Sequence, residues 1–157
     1  MPANTVALTT RPVPAPWIKD YDAVGGSPST WASHFDLSHW TFFIARVDGR
    51  PVGAAAAVFR PADIDMLAGR QDVALLWDIR VLPDARGHGV GSALVAHVAA
   101  WAASQEATWL EVETQDINVP ACRFYARNGF VLRAVNRGAY PDLPDETQLL
   151  WYKRLGP

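Results

Sequence analysis

Only one cysteine, Cys122, occurs in the 157 residues. Its solitude excludes an intramolecular disulfide and a thiolate-rich metal site, and a reducing cytoplasm is the expected compartment. Long apolar runs are missing too. Nowhere do about 18 uncharged apolar residues follow one another, and Met1–Thr10 has neither the basic start nor the apolar stretch of an export signal. No membrane partner is expected. An excess of one charge is also lacking: fourteen Lys and Arg stand against sixteen Asp and Glu, a formal charge of −2, which gives no reason to expect nucleic acid as a partner. The four histidines, His34, His39, His88 and His97, are scattered without ligand spacing such as H-E-x-x-H, so no metal is expected. Hydrophobic residues, in contrast, make up 50% of the chain. The length suits one domain, 1–157, since domains commonly hold roughly 100–200 residues.

Residues 1–39 are rich in proline, glycine and polar residues, as in Arg11-Pro-Val-Pro-Ala-Pro16 and Gly25-Gly-Ser-Pro-Ser29, which is turn chemistry. Trp17, Tyr21, Trp31 and Phe35 interrupt it, so one or two short helices or wrapped segments are expected there, their aromatics covering core or lining a pocket. From Trp40 the pattern sharpens. Trp40–Val47 and Val52–Phe59 read as two strands around an Asp-Gly turn, a hairpin. A loop with Asp63, Asp65, Gly69 and Asp72 follows, and Ala74–Val81 is a further apolar, partly alternating strand.

Beyond Pro83 lies Arg86-Gly-His-Gly-Val-Gly91, after which Val90, Leu94, His97 or Val98, and Trp101 recur at helical spacing among alanines, predicting a helix over about 90–104. Thr108–Thr114 alternates like a strand. The order strand, glycine turn, helix, strand makes one β-α-β crossover. A second helix is expected over about Val119–Asn128, stopped by Gly129. Phe130–Ala139 and Thr147–Tyr152 add two strands joined by Tyr140-Pro-Asp-Leu-Pro-Asp-Glu146.

The position of the glycine turn, between a strand end and a helix start, is what gives it meaning. Small residues let the backbone approach a ligand, and the unspent N–H groups of a first helical turn make an anion site. A pyrophosphate suits it. A Walker A loop would need a lysine that is absent beside Gly91 and Ser92, and a dinucleotide fingerprint begun at Gly87 would need glycine where Ser92 stands.

The spacing Arg-x-x-Gly-x-Gly, carried by Arg86, Gly89 and Gly91, resembles the coenzyme A loop of the GNAT acetyltransferases. Asp78-Ile-Arg-Val-Leu-Pro-Asp-Ala-Arg86 is similar to the strand that leads into it. Asn118-Val-Pro-Ala-Cys-Arg-Phe-Tyr-Ala-Arg-Asn-Gly-Phe130 is similar to the family's later N-x-x-A-x-x-F-Y-x-x-x-G-F signature. Within the superfamily, Trp77-Asp-Ile-Arg80, Val112-Glu-Thr-Gln-Asp116 and Asp145-Glu-Thr-Gln-Leu-Leu-Trp-Tyr-Lys153 look most like the streptothricin acetyltransferase group.

The resemblance implies an α/β (α+β) GNAT fold, a mixed, mostly antiparallel sheet splayed at its central strands and flanked by helices. It implies a V-shaped opening between the strand ending at Val81 and Thr108–Thr114. It implies acetyl-CoA as cosubstrate, with the backbone of Ile79, Arg80 and Val81 pairing with the pantetheine arm. The amides of Arg86, Gly87, His88, Gly89, Val90, Gly91 and Ser92 would hold the pyrophosphate, Asn118 and Phe124 would line the coenzyme, and Tyr125 would protonate the departing thiolate.

Amine acetylation then needs a proton acceptor for the amine and support for the oxyanion. Asp78, Glu111 and Glu113 are the carboxylates nearest the expected splay; the other reading of Asp78 is a structural hydrogen bond or salt bridge, and that of Glu111 and Glu113, two apart on one strand face, is a solvated face. Asp78 and Glu113 with Tyr125 form the candidate catalytic set. Cys122 lacks the His and acid pattern of an activated nucleophile and reads as an inert thiol. Asp63, Asp65, Asp72, Asp142, Asp145 and Glu146 suggest an acidic rim that attracts a cationic amine. Three readings stay open: an N-acetyltransferase for a small cationic amine such as an antibiotic, conferring resistance; the same chemistry on a protein lysine or N-terminus; and a non-catalytic acyl-CoA sensor. A homodimer is compatible with all three.

Overall fold

The computed structural model describes residues 7–16, 18–60 and 70–156. It divides into two compact units, Met1–Ser38 and His39–Pro157. In the first, the expected short helices are α1, Tyr21–Gly25, and α2, Trp31–His34. The Asp20 carboxylate caps α1 by accepting from the amides of Asp22 and Ala23. Trp17 lies outside the described residues.

The second unit is a six-stranded sheet: β1, Trp40–Val47; β2, Arg50–Phe59; β3, Val73–Val81; β4, Trp109–Gln115; β5, Val131–Arg137; and β6, Thr147–Arg154. Its order is β1-β2-β3-β4-β6-β5. Only β3 and β4 run parallel. Helix α3, Val90–Ser104, makes the crossover between them, and α4, Val119–Arg127, follows β4. The β1–β2 turn forms where Asp48 and Gly49 take φ of +49° and +80°, the twist that a two-residue hairpin demands. Helix α4 begins at Asn118, whose side chain accepts from the Ala121 amide, and ends at Gly129, φ +83°.

One sheet face packs on the helices. Leu76, Leu110, Val112, Leu149 and Trp151 meet Leu94, Val95 and Val98 of α3 and Cys122 and Tyr125 of α4. Gly53 permits that closeness, since a β-carbon there would stand 3.0 Å from the Arg80 carbonyl and 3.1 Å from Val90 Cγ1. A buried polar pair lies on this face: the Trp151 indole N–H donates to Thr114 Oγ1 at 2.9 Å.

Two irregularities in β3 shape everything downstream. The β2 register jumps from Ala56 opposite Asp78 to Ala57 opposite Leu76, so Trp77 is an inserted residue, a β-bulge. Before it Ala74 and Leu76 join the helix-side core, and after it Ile79 and Val81 do. Simple alternation would have turned Asp78 and Arg80 into that core instead. Second, the ladder between β3 and β4 runs only through Val73–Trp109, Ala74–Leu110 and Leu75–Glu111. Beyond Leu75 and Glu111 the two strands part.

Candidate active site

The parting leaves one backbone edge of β3 from Leu76 onwards without a strand beside it, because the other edge, through Ile79, Arg80 and Val81, is paired with β2. At the end of that edge lies the glycine turn. Gly87 and Gly89 take φ of +76° and +82°, and a β-carbon on either would meet no atom within 4 Å. Backbone twist, not crowding, is what requires glycine there. Gly89 is the N-cap of α3, and the helix's first internal bond runs from the Ala93 amide to the Gly89 carbonyl. The amides of Val90, Gly91 and Ser92 come before it and are left over by the helix itself.

Side chains around this loop hold it in shape. Arg86 Nε donates to the Val81 carbonyl at 3.0 Å, tying the loop to the end of β3, and His88 Nδ1 lies 2.9 Å from the Arg86 carbonyl. Gly91 is tight for another reason: a β-carbon would lie 3.0 Å from Phe124 Cε2. Phe124 therefore rests on the loop, and Asn118 at the start of α4 is committed to its cap.

Tyr125, next to Phe124, is 6% exposed and sits edge-on between the rings of Phe124 and Phe130. Burial, then the charge of Asp78, raises its phenol above the ordinary value, so it stays protonated and fit to donate. Asp78 accepts from Arg80 Nε through both oxygens, at 2.9 and 3.2 Å.

Glu111 and Glu113 share the face of β4 turned away from the core, as their spacing predicts. Their surroundings differ. Glu111, at the last paired position before the strands part, is 1% exposed, shares a hydrogen bond with Tyr152, and has Oε1 without a partner. Burial raises its carboxyl above the usual range. Glu113 is half-buried and held by neutral donors: the Tyr140 hydroxyl to Oε1 and Gln148 Nε2 to Oε2 at 2.8 Å. Gln115 Nε2 in turn donates to the Tyr140 hydroxyl at 3.1 Å. Tyr140, Gln115 and Gln148 escape the sequence reading. The one signal was an aromatic at the head of a Pro- and Asp-rich connection.

Among the described residues the carboxylates expected at the cleft mouth fall at its two ends. Asp142, Asp145 and Glu146 precede β6, whose Gln148 pairs with Gln115 at the open end of the cleft. Asp72 lies at the closed end, before Val73, and is paired with Arg70 at 2.9 Å. Asp63 and Asp65 fall outside the described residues. Near Asp72, a shallow cavity of about 320 Å³ is lined by Arg70, Trp109, Arg133, Ala134 and Tyr152. Cys122 is buried, its Sγ 3.5 Å from Thr114 Oγ1, and burial raises its thiol, which suits the inert reading.

Residues 9–130 match the acetyltransferase (GNAT) family. The chain belongs to that family. Among curated GNAT relatives, streptothricin acetyltransferase A of Bacillus subtilis (strain 168) is 42% identical over 81 residues, 50% of this chain and 47% of that protein. Streptothricin acetyltransferase of Streptomyces lavendulae is 30% identical over 147 residues, 93% of this chain and 74% of that one. The match thus spans about half the length of the Bacillus subtilis relative. A Bacillus anthracis str. Ames protein, provisionally assigned as a streptothricin acetyltransferase and solved in complex with acetyl coenzyme A, superposes with a TM-score of 0.67 at 26% identity, over 80% of this chain and 68% of that one. The mixed, mostly antiparallel GNAT sheet read from the motifs is the fold observed.

Proposed function

We propose that this chain is an N-acetyltransferase that moves the acetyl group of acetyl-CoA onto a primary amine of a small cationic molecule by direct attack in a ternary complex. The observation that carries this is the parting of β3 and β4 beyond Leu75 and Glu111, which leaves a strand edge running from the carboxylates to an open glycine turn. Acetyl-CoA fits that layout: the amides of Gly87 to Ser92 suit its pyrophosphate, and the β3 edge at Ile79 to Val81 suits the amides of its pantetheine arm. Bound there, it supplies an acetyl carbon activated as a thioester.

The protein's own groups do the rest. A carboxylate, Glu113 or Asp78, accepts the proton that the amine loses as the C–N bond forms. Tyr125 gives its hydroxyl proton to the departing sulfur as the C–S bond breaks. No covalent intermediate with the protein is required. The streptothricin acetyltransferases among the relatives support a streptothricin-type antibiotic as the acceptor, with resistance as the role and the cytoplasm as the place.

The test is acetyl-CoA-dependent transfer by the full chain to a panel holding streptothricin, small polyamines and peptides with free lysine or N-terminal amines. Turnover of streptothricin well above the peptides is expected. Preference for a peptide would replace the acceptor, and acetyl-CoA binding without transfer to any amine would leave only a sensor.

A further inference from the structure

The three carboxylates around the parted strands differ in how their two oxygens are engaged. Asp78 is neutralised by the Arg80 guanidinium. Glu111 lies deep beside Tyr152, where burial favours its uncharged form. Glu113 differs from both in having an uncharged donor on each of its two oxygens, the Tyr140 hydroxyl and the Gln148 amide. Such donors fix a carboxylate's orientation while leaving its charge and about two of its four lone-pair sites for a further donor.

We propose that Tyr140 is a positioning residue for amine transfer: its phenol, with Gln148, holds Glu113 in the orientation in which it takes the proton of the acceptor amine. The proposal rests on the reading that Glu113 acts in that step and extends it to a residue on the β5–β6 connection. The geometry is built for the purpose. Gln115 Nε2 donates into the Tyr140 oxygen, which turns the phenol's own proton towards Glu113. Burial, then the bond to Glu113, raises the Tyr140 phenol above its ordinary value, so it stays a donor through the working range.

The connection is itself prefolded. The Leu143 amide donates to the Tyr140 carbonyl and the Glu146 amide to the Leu143 carbonyl, two successive turns with Pro141 and Pro144 inside them. Little ordering is then left to do when an acceptor arrives.

A double-mutant cycle on the full chain, with acetyl-CoA and streptothricin, tests this. Glu113→Gln lowers kcat/KM for the amine by about 10²–10⁴. Tyr140→Phe lowers it about tenfold to 100-fold, as misplacement of a catalytic group does, with KM for acetyl-CoA unchanged. Because Tyr140 acts through Glu113, the combined variant is no slower than Glu113→Gln alone. Losses that multiply, a raised KM for acetyl-CoA, or a Tyr140→Phe protein as fast as the parent overturn the proposal. If Tyr140→Phe does not fold, Gln115→Leu, which removes the donor that aims the phenol, serves in the same cycle with the same expected pattern. Should Glu113→Gln itself be fully active, the assignment of Glu113 fails first and the role of Tyr140 with it.

Discussion

Gly91 and Phe124 touch so closely that a β-carbon on the glycine would stand 3.0 Å from the ring's Cε2 and 3.1 Å from its Cζ. Two distant motifs, the glycine turn and helix α4, are thus one packed unit. Gly91→Ala pushes the ring off the loop and costs about 1–3 kcal/mol, the usual toll of overpacking. Urea midpoints read it, and adding Phe124→Leu recovers much of the loss. Recovery that fails would mean the ring is not what the methyl meets.

Thr114 and Trp151 make the corresponding pair on the helix-side face. Thr114→Val keeps the shape and strands a buried indole N–H, at a cost of about 1–3 kcal/mol. Thr114→Ser retains the acceptor and loses less. Equal losses in the two variants would mean that the methyl, not the hydroxyl, matters.

For Tyr125, removal of the hydroxyl in Tyr125→Phe lowers kcat by about 10²–10⁴ and leaves acetyl-CoA binding intact. The phenol's ordinary value is 10.0 and burial holds it higher. The parent enzyme therefore loses no activity to ionisation of this acid between neutrality and pH 10. A kcat profile that falls with a midpoint near 9 and flattens in Tyr125→Phe would contradict that.

Glu111 sets a pH dependence of stability. Its carboxyl is raised, by burial first, above the ordinary 4.5, so between the ordinary and the raised value the folded chain binds more protons than the unfolded one. Stability from this residue is complete at acid pH below 4.5 and declines as pH climbs through the folded value. Glu111→Gln is accordingly more stable than the parent at pH 8, and the gap narrows towards pH 4. Denaturant midpoints at the two pH values check it; a gap that widens on acidification reverses the sign.

The elements easiest to foresee were those with local causes. Alanine-rich periodicity and a glycine turn predicted a helix over 90–104, and α3 spans Val90–Ser104. An Asp-Gly pair predicted the hairpin turn, and Gly129 predicted the end of α4. What stayed hidden depends on long-range pairing. The bulge at Trp77 carries no glycine or proline to announce it, and the insertion of β6 between β4 and β5 follows from no local pattern. Parted strands were expected only through family likeness, and Tyr140 was hidden because a phenol's partner 27 residues away in the chain leaves no trace in spacing.

The inserted residue at Trp77 gives β3 two phases. Up to Leu76 its even-numbered side chains belong to the interior that holds the sheet to α3, and from Ile79 onward its odd-numbered ones do. Without Trp77 the same side chains would keep their sides by plain alternation, Leu76, Ile79 and Val81 towards the helices and Asp78 and Arg80 away from them. What the extra residue adds is the bend and stronger local twist of a bulge, set just where β3 leaves β4, so its loss would straighten the strand beneath the carboxylate without turning that carboxylate inward.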